Sequence, residues 1–189
     1  MDNLALQTER LVLRRWLDTD RDAFVRMNAD PRVMEFFPEC LTREQSDSMI
    51  YRIEKHFDIH GFGLFAAELR ATGELVGFVG LAIPGFEAFF TPCVEIGWRL
   101  GVAYWNQGLA TEGAHAVLEF AFTTVGLLEV VSFTTSGNLR SRRVMEKLGM
   151  QYAGDFEHPR LPEGHPLRPH VLYRLANEAV LGTSRGFGK

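Results

Sequence analysis

The stretch Val94-Glu95-Ile96-Gly97-Trp98-Arg99-Leu100, followed by Gly101 to Gln107 and then Gly108-Leu109-Ala110-Thr111-Glu112, holds the residues whose spacing points most directly to chemistry. It reads as a strand feeding a glycine-bearing turn that opens a helix. The first amides of a helix have no intrahelical acceptor, and the helix dipole adds partial positive charge beside them, so such a turn binds anions and phosphate groups above all. Gly108 lets a phosphate approach the backbone closely, although a plain strand-to-helix turn uses glycine for its backbone angles too. The spacing is neither GxGxxG nor GxxxxGK(S/T), which removes the dinucleotide and P-loop readings.

A second polar segment, Asn138-Leu139-Arg140-Ser141-Arg142-Arg143-Val144-Met145-Glu146-Lys147-Leu148-Gly149-Met150, sets a cap and a basic cluster at the start of another helix. Alone, these arginines read as a solvated helix face; beside a phosphate cradle they become candidate clamps. Glu95 shares a strand face with Gly97, whose missing side chain leaves room for a ligand. A partly desolvated carboxylate there has its pKa raised and can take a proton from an ammonium group, while a strand glutamate on a half-solvated face is ordinarily just polar. Ser141 can supply a proton or simply satisfy a helix start. His56 and His60 have i, i+4 spacing but no HExxH pattern and no third ligand, so no metal site is expected. Cys40 and Cys93 stand far apart without a CxxC or a neighbouring histidine, which reads as reduced thiols and not as a nucleophile. Phe86, Phe89 and Phe90 form an aromatic loop suited to satellite packing, an acceptor wall or a dimer contact.

The elements that must hold these residues follow from periodicity. Arg10 to Arg14 alternates as a strand, Asp18-Thr19-Asp20 offers an N-cap to a helix bearing Phe24, Val25 and Met27, and Asp30-Pro31 restarts a short helix carrying Val33, Met34 and Phe37. Thr42-Arg43-Glu44-Gln45 is a capping box for a helix that Gly61 stops. Leu64 to Leu69 and Leu75 to Ile83 form a hairpin, Val94 to Leu100 a central strand, and Ala110 to Thr123 a helix leading into the strand Glu129 to Thr134. A helix from Asn138 to Leu148 and strands at Gln151 to Phe156 and His170 to Leu175 complete the chain, with a proline-dense loop between the last two; that loop, Glu157 to Pro169, the N-terminal helices and the loop near Phe86 to Thr91 are expected to wall the entrance for a second substrate. The 189 residues, 46% hydrophobic and 23% charged, suit one domain spanning 1–189, with a core over about 4–176 and a frayed tail over 182–189. Lys plus Arg number 20 against 24 Asp plus Glu, a net charge of −4 that offers nucleic acid no global field. The absence of a signal-like start or a long apolar run suggests a cytoplasmic protein off the membrane.

Trp105-Asn106-Gln107-Gly108-Leu109-Ala110-Thr111-Glu112, with Asn138-Leu139-Arg140-Ser141 and Glu146-Lys147-Leu148-Gly149-Met150, resembles the GNAT superfamily of acyl-CoA N-acyltransferases. Leu6 to Arg14 and Asp30-Pro31-Arg32-Val33 are similar to its ribosomal-protein, RimJ/RimL-like branch. The resemblance implies an α/β (α+β type) GNAT fold: a mixed, mostly antiparallel sheet whose splayed middle strands admit the pantetheine arm of acetyl-CoA. By that analogy the backbone of Trp98, Arg99 and Leu100 pairs with pantetheine, and amides from Asn106, Gln107, Gly108, Leu109, Ala110 and Thr111 hold the pyrophosphate. Asn138 and Ser141 approach the thioester end, and Arg143 is a candidate for the phosphates. Trp105 stands where the family often has Arg or Gln, and Ala110 replaces its later glycine; the backbone cradle survives both. The implied reaction is acetylation of a primary amine by direct attack, the acceptor being a peptide or protein N-terminus, or else a small amine such as a polyamine, amino acid or aminoglycoside. A non-catalytic acyl-CoA-binding module and a homodimer are compatible with the same residues.

Overall fold

Strand-forming segments, some alternating and some continuously apolar, give β1 (Leu6–Gln7), β2 (Leu11–Arg14), β3 (Leu64–Leu69), β4 (Leu75–Ala82), β5 (Glu95–Leu100), β6 (Glu129–Thr135), β7 (Gln151–Glu157) and β8 (Pro169–Ala176). In the computed structural model, which describes residues 4–177, they form one sheet in the order β1-β2-β3-β4-β5-β6-β8-β7. Neighbours run antiparallel except β5 and β6, which are parallel. The four helices among the described residues are α1 (Arg21–Asn28), α2 (Arg43–His60), α3 (Leu109–Thr123) and α4 (Leu139–Lys147). The expected tail over 182–189 lies outside the described residues.

Side chains of a strand point alternately to its two faces, so register decides what each helix covers. Val79 pairs with Trp98 and Leu81 with Ile96, and this face meets α3: a Cβ added at Gly113 would come within 3.2 Å of the Val79 side chain. Phe78 pairs with Arg99 on the opposite face, where the Phe24 ring of α1 stands edge-on to Phe78 at 6.3 Å. Burying both faces of the middle strands explains their near-continuous apolar runs.

Local signals end the elements where the side chains can satisfy backbone. Thr42 accepts from the Gln45 amide at 3.2 Å while Gln45 accepts from the Thr42 amide at 2.7 Å, and α2 ends at left-handed Gly61. Two N-terminal expectations need correction. Asp18–Asp20 forms a 3₁₀ turn ahead of α1, because the buried Asp20 carboxylate is taken by the Leu17 amide and by Arg14. Residues 31–36 form turns and not a helix. The Asp30 carboxylate folds back on the Arg32 amide, and Pro38, which has no N–H, follows directly on Phe36 and Phe37.

Candidate active site

Opposite β4, strand β5 loses its neighbour after one residue pair, Glu95 with Val131. Gly101 donates to Val76 O and Val131 to Val94 O, both at 2.9 Å. Main-chain groups alternate sides along a strand, so Gly97 and Arg99 address β4 while Ile96, Trp98 and Leu100 address the side where β6 departs. The Leu100 carbonyl is met by the Trp105 indole N–H at 2.8 Å. Of the three residues expected to pair with an extended ligand through their backbone, Trp98 is therefore the one whose main chain faces the gap without a protein partner among the described residues. Arg99 spends its main chain on β4 and turns its side chain to the α1 face.

The turn into α3 supplies the polar end of the gap. Asn106 and Gly108 are both left-handed, with φ of 58° and 81°, and the first intrahelical bond runs from the Glu112 amide to Gly108 O. The amides of Leu109, Ala110 and Thr111 thus open α3 without helical acceptors, the arrangement that receives phosphate oxygens. The loop is held from outside: Arg10 donates to Gln107 O at 2.9 Å and pairs with Glu112 at 2.6 Å, and Thr8 donates to Glu112 at 2.5 Å. Burial works to raise the Glu112 pKa, but these hydrogen bonds overcome it and lower it. Gln107 itself does not line the cavity; its side chain donates to Ala103 O at 2.8 Å.

A cavity of about 680 Å³ runs through the gap. It brings together Glu95, Trp98, Arg99, Leu100, Asn106, Gly108, Leu109, Ala110, Thr111, Asn138, Ser141 and Arg143, of the residues expected from sequence. Asn138 caps α4 by accepting from the Ser141 amide at 3.1 Å and donates to Thr134 at 3.1 Å, and Ser141 lines the cavity beside it. Arg143 is exposed at the rim.

On the α1 face, Glu95, Gly97 and Arg99 follow one another at strand spacing. Burial pushes the Glu95 carboxyl up to about 8, a value suited to exchanging a proton near neutral pH. A Cβ at Gly97 would lie 3.8 Å from Glu95 Oε1 with nothing nearer, so the floor beside the carboxyl is open. Burial also lowers Arg99, to about 10, leaving it cationic at neutral pH.

The loop over Glu157 to Pro169, expected to form one side of the acceptor's entrance, does line the cavity, through His158, Arg160, Leu161 and Leu167, with His170 of β8 beside them, and Phe36, Phe37 and Pro38 close it from the α1–α2 connection. Sequence reasoning named these regions without singling out Phe36, Pro38, His158 or Leu161. Burial pushes His158 down to about 4, with the nearby His170 and Arg160 adding to the effect, and burial also lowers His170; both rings join an aromatic cluster with Phe133 and Phe156. The expected Phe86–Phe90 loop packs on that cluster through Phe86 and Phe90, while Phe89 is 70% exposed. Among the described residues no group of His, Cys, Asp and Glu could hold a metal. His56 instead bridges Phe62 O and the Ile83 amide. Burial, with Glu95 adding to it, pushes the Cys93 thiol up to about 11, which leaves little thiolate for nucleophilic attack.

Residues 10–151 match the acetyltransferase (GNAT) domain family. The chain is 28% identical over 173 residues to the uncharacterized N-acetyltransferase YnaD of Bacillus subtilis, covering 92% of this chain and 97% of that one. It is 32% identical over 158 residues to the FsC-acetyl coenzyme A-N(2)-transacetylase of Aspergillus fumigatus, covering 80% and 66%. A solved GNAT-family acetyltransferase from Bacillus anthracis superposes with a TM-score of 0.76 at 27% identity, covering 93% and 99%. The ribosomal-protein-S5-alanine acetyltransferase of Vibrio fischeri, at 15% identity, a TM-score of 0.75 and coverage of 93% and 98%, shares the fold alone. A splayed sheet, an open helix start and a family match over most of its length converge: the chain belongs to the GNAT family of acetyltransferases.

Proposed function

We propose that the protein transfers an acetyl group from acetyl-CoA to a primary amine by direct attack. The observation that carries this reading is the continuity of one cavity from the free amides of α3, past the unpaired backbone of Trp98, to the carboxyl of Glu95. The residues fit the donor: α3 and its two left-handed loop residues suit a pyrophosphate, and the strand gap suits an extended amide-bearing arm. Acetyl-CoA supplies a thioester whose carbonyl accepts the nucleophile. Glu95 takes one proton from the acceptor's ammonium, freeing the nitrogen lone pair. The C–N bond then forms as the C–S bond breaks, and Ser141 passes the second amine proton to the departing sulfur. Proximity and alignment within the cavity account for the rest of the acceleration.

Resemblance at Leu6 to Arg14 and Asp30 to Val33 to the RimJ/RimL-like branch favours a peptide or protein N-terminus as acceptor, in a cytoplasmic enzyme. Among the described residues no helix is long and apolar enough to cross a membrane. A small-molecule amine is the second reading, and the Arg99 side chain favours it. The name of the Aspergillus relative, an acetyl coenzyme A transacetylase acting at a nitrogen, agrees with both donor and bond.

Donor binding is tested by thermal unfolding with and without acetyl-CoA. At ~100 times its dissociation constant a native-state ligand adds about 2.7 kcal/mol, a rise of roughly 5 to 10 °C for a chain of this size. Gly108→Val lowers the unliganded midpoint, since a β-branched residue resists φ of 81°, and abolishes the ligand-induced rise. An undiminished rise in that variant overturns the cradle.

A further inference from the structure

The chain meets a second half-buried cation with carboxylates: Arg14 pairs with Asp20 at 2.7 Å and Glu68 at 2.6 Å. Arg99, only 9% exposed, is the one arginine among the described residues that is buried, and it forms no salt bridge with any described carboxylate. Its Nη1 donates to Asn28 Oδ1 at 2.8 Å, and its Nε is buried without a hydrogen-bond partner. Asn28 is neutral, fully buried, and fixed by donating to Ser46 at 3.1 Å. Phe37 and Phe78 flank the guanidinium, their ring centroids 4.0 and 5.4 Å from its carbon. A desolvated cation with no counter-ion is unfavourable, and nothing in the fold offsets this one fully.

Arg99 lines the same cavity as Glu95 and shares its β5 face, with side-chain-free Gly97 between them. The donor's phosphates have their own place at α3, which packs on the opposite face. A guanidinium offers a planar fork of donors matched to a carboxylate. We propose that Arg99 is the counter-ion for a carboxylate on the acceptor, so that the acceptor is a small amino-carboxylate with its amine at Glu95 and its carboxylate on Arg99. Polyamines and aminoglycosides, cationic throughout, would bring a second positive charge against Arg99 and are disfavoured. This inference rests on the acetyl-transfer reading above.

The test compares free α- and ω-amino acids with their carboxamides and their decarboxylated amines, each with acetyl-CoA. The wild type prefers at least one amino acid over its carboxamide by tenfold or more in kcat/KM. Arg99→Gln loses at least tenfold more in kcat/KM on that amino acid than on its carboxamide, and keeps the acetyl-CoA-induced thermal shift. Asn28→Asp, nearly isosteric, sets a carboxylate against Arg99 and raises KM for the amino acid alone. Equal rates for acid and carboxamide in the wild type, equal losses on both in Arg99→Gln, or reaction of peptides or polyamines with no free amino acid, each overturns the proposal. Should no amine release CoA, the acetyl-transfer reading fails, and binding decides this one: stabilisation by an amino acid but not its carboxamide, lost in Arg99→Gln, upholds it, and no such difference overturns it.

Discussion

Glu95 has no hydrogen-bond partner among the described residues, and burial alone accounts for its raised pKa of about 8. As a base it must be ionised, so kcat/KM should climb with pH through about 8. Glu95→Gln should lower turnover by ~10² to 10⁴ and move the remaining pH dependence to the pKa of the amine itself, with acetyl-CoA binding kept. An unchanged rate and profile would place the base elsewhere. Stability gives an independent reading of the same group. A carboxyl raised from 4.5 to about 8 on folding contributes stability that is fully present below the lower value and lost as pH rises through the higher one. The Gln variant should therefore gain on the wild type in thermal midpoint between about pH 5 and pH 9; a constant difference would mean that the carboxyl titrates normally. Ser141→Ala should lower turnover more than tenfold while sparing acetyl-CoA affinity. Glu95 and Ser141 were both legible as types at a spacing. Arg99 was legible only as backbone, because which way a strand residue faces depends on register with β4, and its lack of a carboxylate depends on residues far away in sequence.

At the scale of elements, the strap from Arg10 to Glu112 and Gln107 should set how firmly the loop before α3 presents its amides. Arg10→Ala should weaken acetyl-CoA binding several-fold without unfolding the protein, since the Arg10 side chain is exposed; titration of acetyl-CoA by calorimetry reads this directly, and unchanged affinity would show the strap to be incidental. Shortening the β7–β8 loop should change acceptor selectivity at constant acetyl-CoA affinity, because His158, Arg160, Leu161 and Leu167 line the cavity and are proposed to wall its acceptor side. Loss of donor binding would instead assign the loop to the fold. Elements with a local signature were legible: the Thr42 box, the Gly61 stop, the Asn138 cap and the hairpin of β3 and β4 all follow from neighbouring residues. The segment around Asp30-Pro31 was not, since its helical spacing of Val33, Met34 and Phe37 is outweighed by the Asp30–Arg32 contact and by rings drawn to the cavity. β1, two residues long, leaves too short an alternation to see.

For the whole molecule, sequence motifs spaced along the chain anticipated the GNAT sheet, while the cavity walls, drawn from the α1–α2 connection and the β7–β8 loop, come together only through tertiary packing. On the proposed reaction, that division explains why the donor is easier to read than the acceptor: the donor would meet backbone, which the fold dictates, and the acceptor would meet side chains that the fold leaves free to vary. Gly97→Leu should fill the open floor between Glu95 and Arg99, abolishing acceptor turnover with the fold and the acetyl-CoA-induced shift intact. The central claim, transfer of acetyl from acetyl-CoA to a primary amine in this cavity, is met most directly by a single-turnover experiment with acetyl-labelled CoA and a panel of amines and peptides, products resolved by mass spectrometry. The label should appear in amide linkage on the amine, at a rate that depends on amine concentration and collapses in Glu95→Gln. Label released as acetate at one rate with or without any amine, or never released at all, would contradict it.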